Sequence, residues 1–212
     1  MEAISSYHDL VRHDALSFLP PQLGRVLDFG GGIGATAAAL RGAGRADHAV
    51  LFDQVADKAL AEIDAAEAVD FEDLEKLGEL AGRHGPFDTI LALDVLEHLR
   101  DPWAVIAVLE TALKPGGHIL VSVPNVSSSV VLLPLLFHDS FEYTRSGVLD
   151  RTHLRWFTRK SAIKLAQAGG LVVQRVRTNP FPRRKILLDK LTLGLLTRFI
   201  AMQWLVLVRK PG

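Results

Sequence analysis

The chain has 212 residues, 49% of them hydrophobic, with 24 basic and 24 acidic side chains and a formal net charge of zero. That length suits one domain with a good-sized core, and the apolar share excludes wholesale disorder. The absence of cysteine excludes disulfides, zinc–thiolate sites and thiol catalysis.

In chain order, Met1–Asp9 has neither a basic region nor an apolar run, so no signal peptide is expected and the location expected is cytoplasmic. A first helix is predicted near Ser6–Phe18, closed by Pro20-Pro21. A strand over Arg25–Phe29 runs into a glycine-rich turn and a helix carrying Thr36–Leu40. A second strand over Ala49–Asp53, a helix over Ala56–Asp64 and a short third strand over Ala66–Val69 follow. The fourth strand is Thr89–Leu93, with Asp94 at its carboxyl end. Asp101 as N-cap and Pro102 at the first position open a helix to Leu113. Lys114-Pro115-Gly116-Gly117 turns the chain into a fifth strand, His118–Val123. The run from Asn125 to Phe157 is long and irregular, the form taken by functional lids. A helix over Thr158–Ala168 stops at Gly169-Gly170, and strands over Leu171–Arg177 and Gln203–Arg209 complete the chain. No membrane span is expected: Val130–Phe137 is short and broken by Pro134, and Ile186–Val208 carries Asp189, Lys190 and Arg198. The alternation predicts an α/β fold: one domain over 1–212, a Rossmann-like, doubly wound, mostly parallel seven-stranded sheet with helices on both faces, and a lid over 125–157.

Gly30, Gly32 and Gly34 remove Cβ atoms that would hold a ligand away from the backbone. The amides there, at the positive end of a helix, suit a carboxylate or phosphate. Asp28, just before the glycines, is placed to organise the loop and approach a cationic or hydroxylated group. Nineteen residues past the loop, Asp53 ends the second strand, where a carboxylate suits the two hydroxyls of a ribose. A nucleoside-type cofactor is therefore expected. Gly30-x-Gly32-x-x-Ala35 also fits the dinucleotide fingerprint, which leaves the choice of cofactor open. A dinucleotide has less use for a carboxylate close to its pyrophosphate. Gly30, Asp53, Asp70, Asp94 and Asn125 fall at five strand ends, which converge on one crevice in an open parallel sheet.

Two further segments carry more weight: Phe87–Leu99, containing Asp94-Val95-Leu96-Glu97-His98, and Leu113–Asn125, containing Lys114-Pro115-Gly116-Gly117. With the glycine loop, they make the chain resemble the class I S-adenosylmethionine-dependent methyltransferases, from about Tyr7 to Lys210. The likeness is closest to the small-molecule branch with ubiquinone- and menaquinone-type enzymes and enzymes of glycan and natural-product clusters. The resemblance implies S-adenosyl-L-methionine as cofactor. The glycine loop would hold its methionine portion, Asp53 its ribose, and Asp70 and Phe71 its adenine, flanked by Gln54. Asp94 to His98 would lie beside the reactive methyl.

His98, His153 and Asp150 are the candidate general bases, since histidine titrates near working pH. His98 is expected on the first turn of a helix. His153 lies in Leu149–Thr158, a string that resembles a substrate-covering segment of the glycan- and natural-product-type members. Asp150 and Arg151 can instead pair to order the lid. Tyr7 and Arg12 are expected to close over the cofactor, with Arg12 on its carboxylate. Phe137, Phe141, Tyr143, Trp156 and Phe157 make the lid aromatic. Gly31 stands where many relatives carry cysteine. His138-Asp139 and His153 are too few for a metal-ligand pattern, so no metal is expected.

The function expected is methyl transfer to a small-molecule or glycan- or lipid-linked acceptor, with oxygen as the acceptor atom. Carbon or nitrogen methylation and an NAD(P)-dependent oxidoreductase are the alternatives. Eleven bases between Arg145 and Lys185 face one acid, Asp150, which points to an anionic acceptor or peripheral contact with anionic lipid. No nucleic-acid partner is expected. The Asn/Asp-Pro-Pro-aromatic motif of base methylation is missing at Asp94–Glu97, and Asn179-Pro180-Phe181 lies in the wrong part of the fold.

Overall fold

The structure, a computed structural model, describes residues 11–179, 192 and 194–212. Expectations at Tyr7, Pro180-Phe181 and Arg183–Lys185 fall outside those residues, as do the start of the first helix and residues 186–191 of the apolar C-terminal stretch.

Seven strands form one sheet: β1 (Arg25–Phe29), β2 (His48–Asp53), β3 (Ala65–Ala68), β4 (Phe87–Leu93), β5 (Leu113–Pro124), β6 (Val172–Thr178) and β7 (Gln203–Arg209). Their order is β3-β2-β1-β4-β5-β7-β6. The first five run parallel, and β7 pairs antiparallel with both β5 and β6. The order reverses between β1 and β4, the switch point at which an open α/β sheet leaves a crevice beyond its strand ends.

Period-two alternation splits the core into two layers. Leu27 and Phe29 of β1, Ile90 and Ala92 of β4, and Val121 and Val123 of β5 face one layer. It is completed by Leu77 and Leu80 of helix α3 (Leu74–His84), Ile106 and Leu109 of α4 (Pro102–Thr111), and Leu165 of α6 (Arg159–Ala166). Val26, Leu91, Leu120 and Leu207 face the other layer, with Ala15 of α1 (His13–Leu16) and Leu40 of α2 (Ala35–Gly42). The sheet is thus covered on both faces.

Four local expectations are corrected. Ala56–Asp64 is not a helix beyond a single 3-10 turn over Ala56–Lys58. There the Leu60 amide donates to the Ile33 carbonyl of the glycine loop at 3.0 Å, and Asp64 accepts from the Ala49 amide of β2 at 2.7 Å. These tertiary bonds hold the segment as a run of turns against the glycine loop and β2. Helix α3, unforeseen, is signalled by Asp73, whose carboxylate caps the Lys76 amide at 2.9 Å, and by the stripe Leu77-Leu80-Ala81. The lid, expected to be irregular, contains helix α5 (Ser129–His138), which tolerates Pro134 within it. Finally, Lys114–Gly117 lies within an extended β5, whose register against β4 shifts between Phe87 and Thr89. Among the described residues, no helix is long and apolar enough to cross a membrane.

Candidate active site

The glycine loop stands where the sequence places it, between β1 and α2, and its shape is set by carboxylates. Gly30 has φ +73°, and a Cβ there would lie 2.4 Å from Val95, the second residue beyond β4. Two strand-end loops therefore touch. Asp28 is fully buried beneath the loop and accepts from the Ala37 amide of α2 at 3.2 Å. Burial, helped by the nearby Asp53 charge, pushes its carboxyl up to about 7, against the opposing pull of the Ala37 amide. A Cβ at Gly31 would sit 2.4 Å from the Asp28 carboxyl carbon. Gly31, the middle of three consecutive glycines, makes room for that carboxylate.

Asp53, buried at the end of β2, accepts from the Gly32 amide at 2.7 Å and from the Val55 amide at 3.0 Å. It does not cap a following helix. It ties the glycine loop to the second strand, and each of its oxygens keeps further accepting capacity. Gly34, at φ +81°, is the N-cap of α2. Gln54, Ala68, Val69 and Asp70 line an open pocket of about 380 Å³ next to it along the strand ends. Asp70 accepts from the Glu72 amide and is exposed. The Phe71 side chain is buried and packs on Phe29 with ring centroids 4.4 Å apart, so only its backbone is available to a ligand. A cradle closed to Cβ atoms, a carboxylate at its rim and a pocket beside it fit an adenosyl ligand with an amino-acid tail.

At the end of β4, Asp94 adopts φ +56°. Its carboxylate accepts from Ser122 Oγ at 2.7 Å and Gln203 Nε2 at 2.9 Å, and pairs with Arg12. Arg12 also binds Asp14 at 3.0 Å, and its amide donates to Thr36 Oγ1 at 3.2 Å. Arg12 thus reaches the crevice as expected, but its guanidinium is held by protein carboxylates. Asn125 is fully buried, donating to the carbonyls of Arg198 at 2.7 Å and Ala201 at 2.9 Å. It locks strand ends together rather than facing a ligand.

Beyond Asp94 the chain makes a 3-10 turn over Leu96–His98, in place of the expected helix. The segment after β5 docks here: Leu154 and Arg155 donate their amides to the Glu97 carbonyl at 2.8 and 3.0 Å. Docking brings His153 over His98, with ring centroids 4.8 Å apart at 71°. His98 Nδ1 lies 3.3 Å from the Thr152 carbonyl, and His153 Nδ1 lies 3.1 Å from the Val148 carbonyl. A carbonyl only accepts, so each Nδ1 carries a proton, and in the neutral ring Nε2 presents a lone pair. His153 Nε2 stands 4.0 Å from Glu97 Oε1. Glu97 is buried; burial and then the Asp94 charge push its carboxyl well above the usual range. Burial, then His153, lowers the His98 imidazole.

The two histidines expected at the acceptor are thus brought together, and Glu97 joins them. Glu97 belongs to the Asp94–His98 motif, yet nothing in the sequence marks its carboxylate as buried. The expectation of no metal counted His138, Asp139 and His153. The fold instead gathers Glu97, His98 and His153. Asp150 accepts from the Thr152 amide and hydroxyl at 2.8 and 2.7 Å rather than pairing with Arg151. Of the lid aromatics, Phe141, Tyr143 and Trp156 cluster with centroids 6.0–6.2 Å apart, Phe157 is core, and Phe137 is exposed.

A family described as "Methyltransferase domain" matches residues 6–176. A ubiquinone biosynthesis O-methyltransferase from Ralstonia nicotianae is 27% identical over 216 residues, covering 95% of this chain and 83% of that protein. One from Azotobacter vinelandii is 32% identical over 153 residues, covering 70% of this chain and 65% of the relative, just under two thirds of its length. Among solved structures, a SAM-dependent methyltransferase from Archaeoglobus fulgidus shares the fold, with a TM-score of 0.62 at 15% identity over 90% of this chain and 87% of that one. These matches close the oxidoreductase alternative that the glycine spacing leaves open. The chain belongs to the methyltransferase-domain family and is an S-adenosylmethionine-dependent methyltransferase.

Proposed function

We propose that the chain methylates a hydroxyl oxygen of a small-molecule acceptor bound between the strand-end crevice and the lid. The carrying observation is the docked cluster of Glu97, His98 and His153, which presents two Nε2 lone pairs and a carboxylate. Such a cluster suits an acceptor that must lose a proton. When bound, S-adenosylmethionine supplies a sulfonium methyl, whose carbon bonds to the acceptor oxygen as the S–C electron pair returns to sulfur. Gly30, Gly32 and Gly34 would admit the amino-acid tail to the backbone, Asp28 its ammonium, and Asp53 the ribose hydroxyls. Gln54 and Asp70 would flank the adenine, with the Phe71 backbone on its ring, and Asp94 would fix the turn beside the methyl.

Without a bound cation, His153 Nε2 takes the acceptor proton. Alignment of acceptor and methyl can supply about 7–11 kcal/mol at best, and a positioned base about 10²–10⁴-fold. The names of the curated relatives support oxygen as the acceptor atom. The exposed apolar face of α5, with Leu133, Leu136 and Phe137, supports an acceptor with an apolar or lipid-linked part. The bases at Arg145, Arg151 and Arg159 support an anionic one. One domain over 1–212, with a lid over 125–157 and a cytoplasmic setting, belongs to the same reading.

The test is transfer of labelled methyl from S-adenosylmethionine into fractionated cell extract, with Asp53→Ala as control. Label in a hydroxylated fraction, lost in the control, supports the reading. Label in protein or nucleic acid overturns it.

A further inference from the structure

Glu97, His98 and His153 form a cluster whose geometry exceeds what a proton acceptor needs. Their donor atoms all lie within 4.8 Å of one another. Glu97 and His153 are buried, and His98 is half-buried, which leaves a way in from solvent. Among the described residues Glu97 Oε2 has no hydrogen-bond partner, and Oε1 stands 4.0 Å from His153 Nε2, beyond hydrogen-bond length. A buried carboxylate left in this state is costly. Both imidazoles have their second nitrogen on a backbone carbonyl, the outer-shell contact that fixes a metal-ligating histidine in the right tautomer. Asp94, the other carboxylate of the turn, is engaged with Arg12, Ser122 and Gln203 and is not available as a ligand.

We infer that Glu97, His98 and His153 bind one divalent cation of the manganese-to-zinc series, its remaining positions open to the acceptor oxygen. Two imidazoles and one carboxylate are a donor set for such metals when open positions remain. Bond lengths of about 2.0–2.2 Å require the three donors to close from their present spacing. The role assigned to the cation rests on the oxygen-directed reading. It holds the acceptor oxygen against the methyl and acidifies its hydroxyl. The O–H bond then breaks with its electron pair left on oxygen, the proton passes to solvent, and that oxygen bonds the methyl carbon. In this form the histidines are ligands and not bases.

The test starts from chelator-treated full-length protein. Mn²⁺ is titrated with the free ion counted by electron paramagnetic resonance, and Zn²⁺ is titrated by calorimetry. One saturable site per chain is expected for at least one of the two. Glu97→Gln, nearly isosteric, and His98→Ala, at a half-exposed position, should each weaken it at least tenfold while melting temperature and S-adenosylhomocysteine affinity stay at wild-type values. No saturable binding of either ion overturns the inference, as does binding that both variants leave unchanged. Methyl on oxygen without a cation site would leave the oxygen-directed reading standing alone. A cation site with methyl on nitrogen or carbon would do the reverse.

Discussion

Gly31 and Asp28 constrain each other. A methyl group at 31 would press on the Asp28 carboxylate from 2.4 Å. Overpacking of this kind costs about 1–3 kcal/mol. Gly31→Ala should therefore lower the melting temperature and weaken S-adenosylhomocysteine binding together; wild-type values for both would show that Asp28 is free to move. Asp28 also makes stability depend on pH. Its carboxyl is held at about 7 in the folded chain against 3.8 ordinarily. Below the lower value it is protonated in both states and costs nothing. Between the two, the unfolded chain has released a proton that the folded chain keeps, so stability falls as pH rises. Above about 7 the whole penalty applies, at roughly 1.4 kcal/mol per pH unit of difference at most. Urea unfolding across this window should give a steeper fall for wild type than for Asp28→Asn. Equal slopes would remove the penalty. Asp53→Ala should cost about 1.5–3 kcal/mol of cofactor affinity, since it deletes a charged acceptor at the rim of the loop. Calorimetry with S-adenosylhomocysteine reads it directly.

Elements were legible where local chemistry and tertiary demand agree. β1, β2 and β4 show buried apolar runs, and α4 shows Asp101 and Pro102 at its start, with the Asp101 carboxylate on the Ala104 amide at 3.1 Å. The Ala56–Asp64 segment reads as a helix and is not one, because backbone groups in it are claimed by distant partners, the Ile33 carbonyl among them. No window of sequence contains that information. Helix α3 was legible in the Asp73 cap and the Leu77–Leu80 spacing, although no expectation places a helix there. Asn125 stands at a strand end, as its position predicts, but is buried there rather than open to the crevice. Its amide serves the carbonyls of Arg198 and Ala201, in the segment before β7, the latter buried. Asn125→Ala should therefore cost about 2–5 kcal/mol in urea unfolding, each unsatisfied group being worth about 1–3 kcal/mol. Thr158→Ala, at the exposed capping box of α6, should cost about 1 kcal/mol. A reversed order would mean that Asn125 faces the crevice after all.

Over the whole molecule, parallel strand order made the crevice predictable. Once β1, β2, β3 and β4 are known to run side by side, Gly30, Asp53, Asp70 and Asp94 must emerge on one edge. The acceptor side was less legible. His98 and His153 are far apart in sequence and meet because the backbone at Leu154 and Arg155 docks on the Glu97 carbonyl. The charge segregation was legible but mixed in meaning: Arg175 donates to the Phe18 carbonyl at 2.7 Å and stacks on its ring, a structural task. On the lid, Leu136 and Phe137 are 71% and 74% exposed. Replacing both with serine should change stability by less than about 0.5 kcal/mol, the range of ordinary surface substitutions. It should raise KM for an acceptor with an apolar tail; an unchanged KM would take α5 out of the acceptor site.

Oxygen-directed transfer is tested most directly by turnover with carbon-13-methyl S-adenosylmethionine and cell extract, followed by carbon NMR of the labelled product. The account predicts a resonance in the methoxy region, reduced about 10²-fold or more in His153→Ala while cofactor binding persists. A label in the N-methyl or C-methyl region, formed at the wild-type rate by His153→Ala, would contradict it.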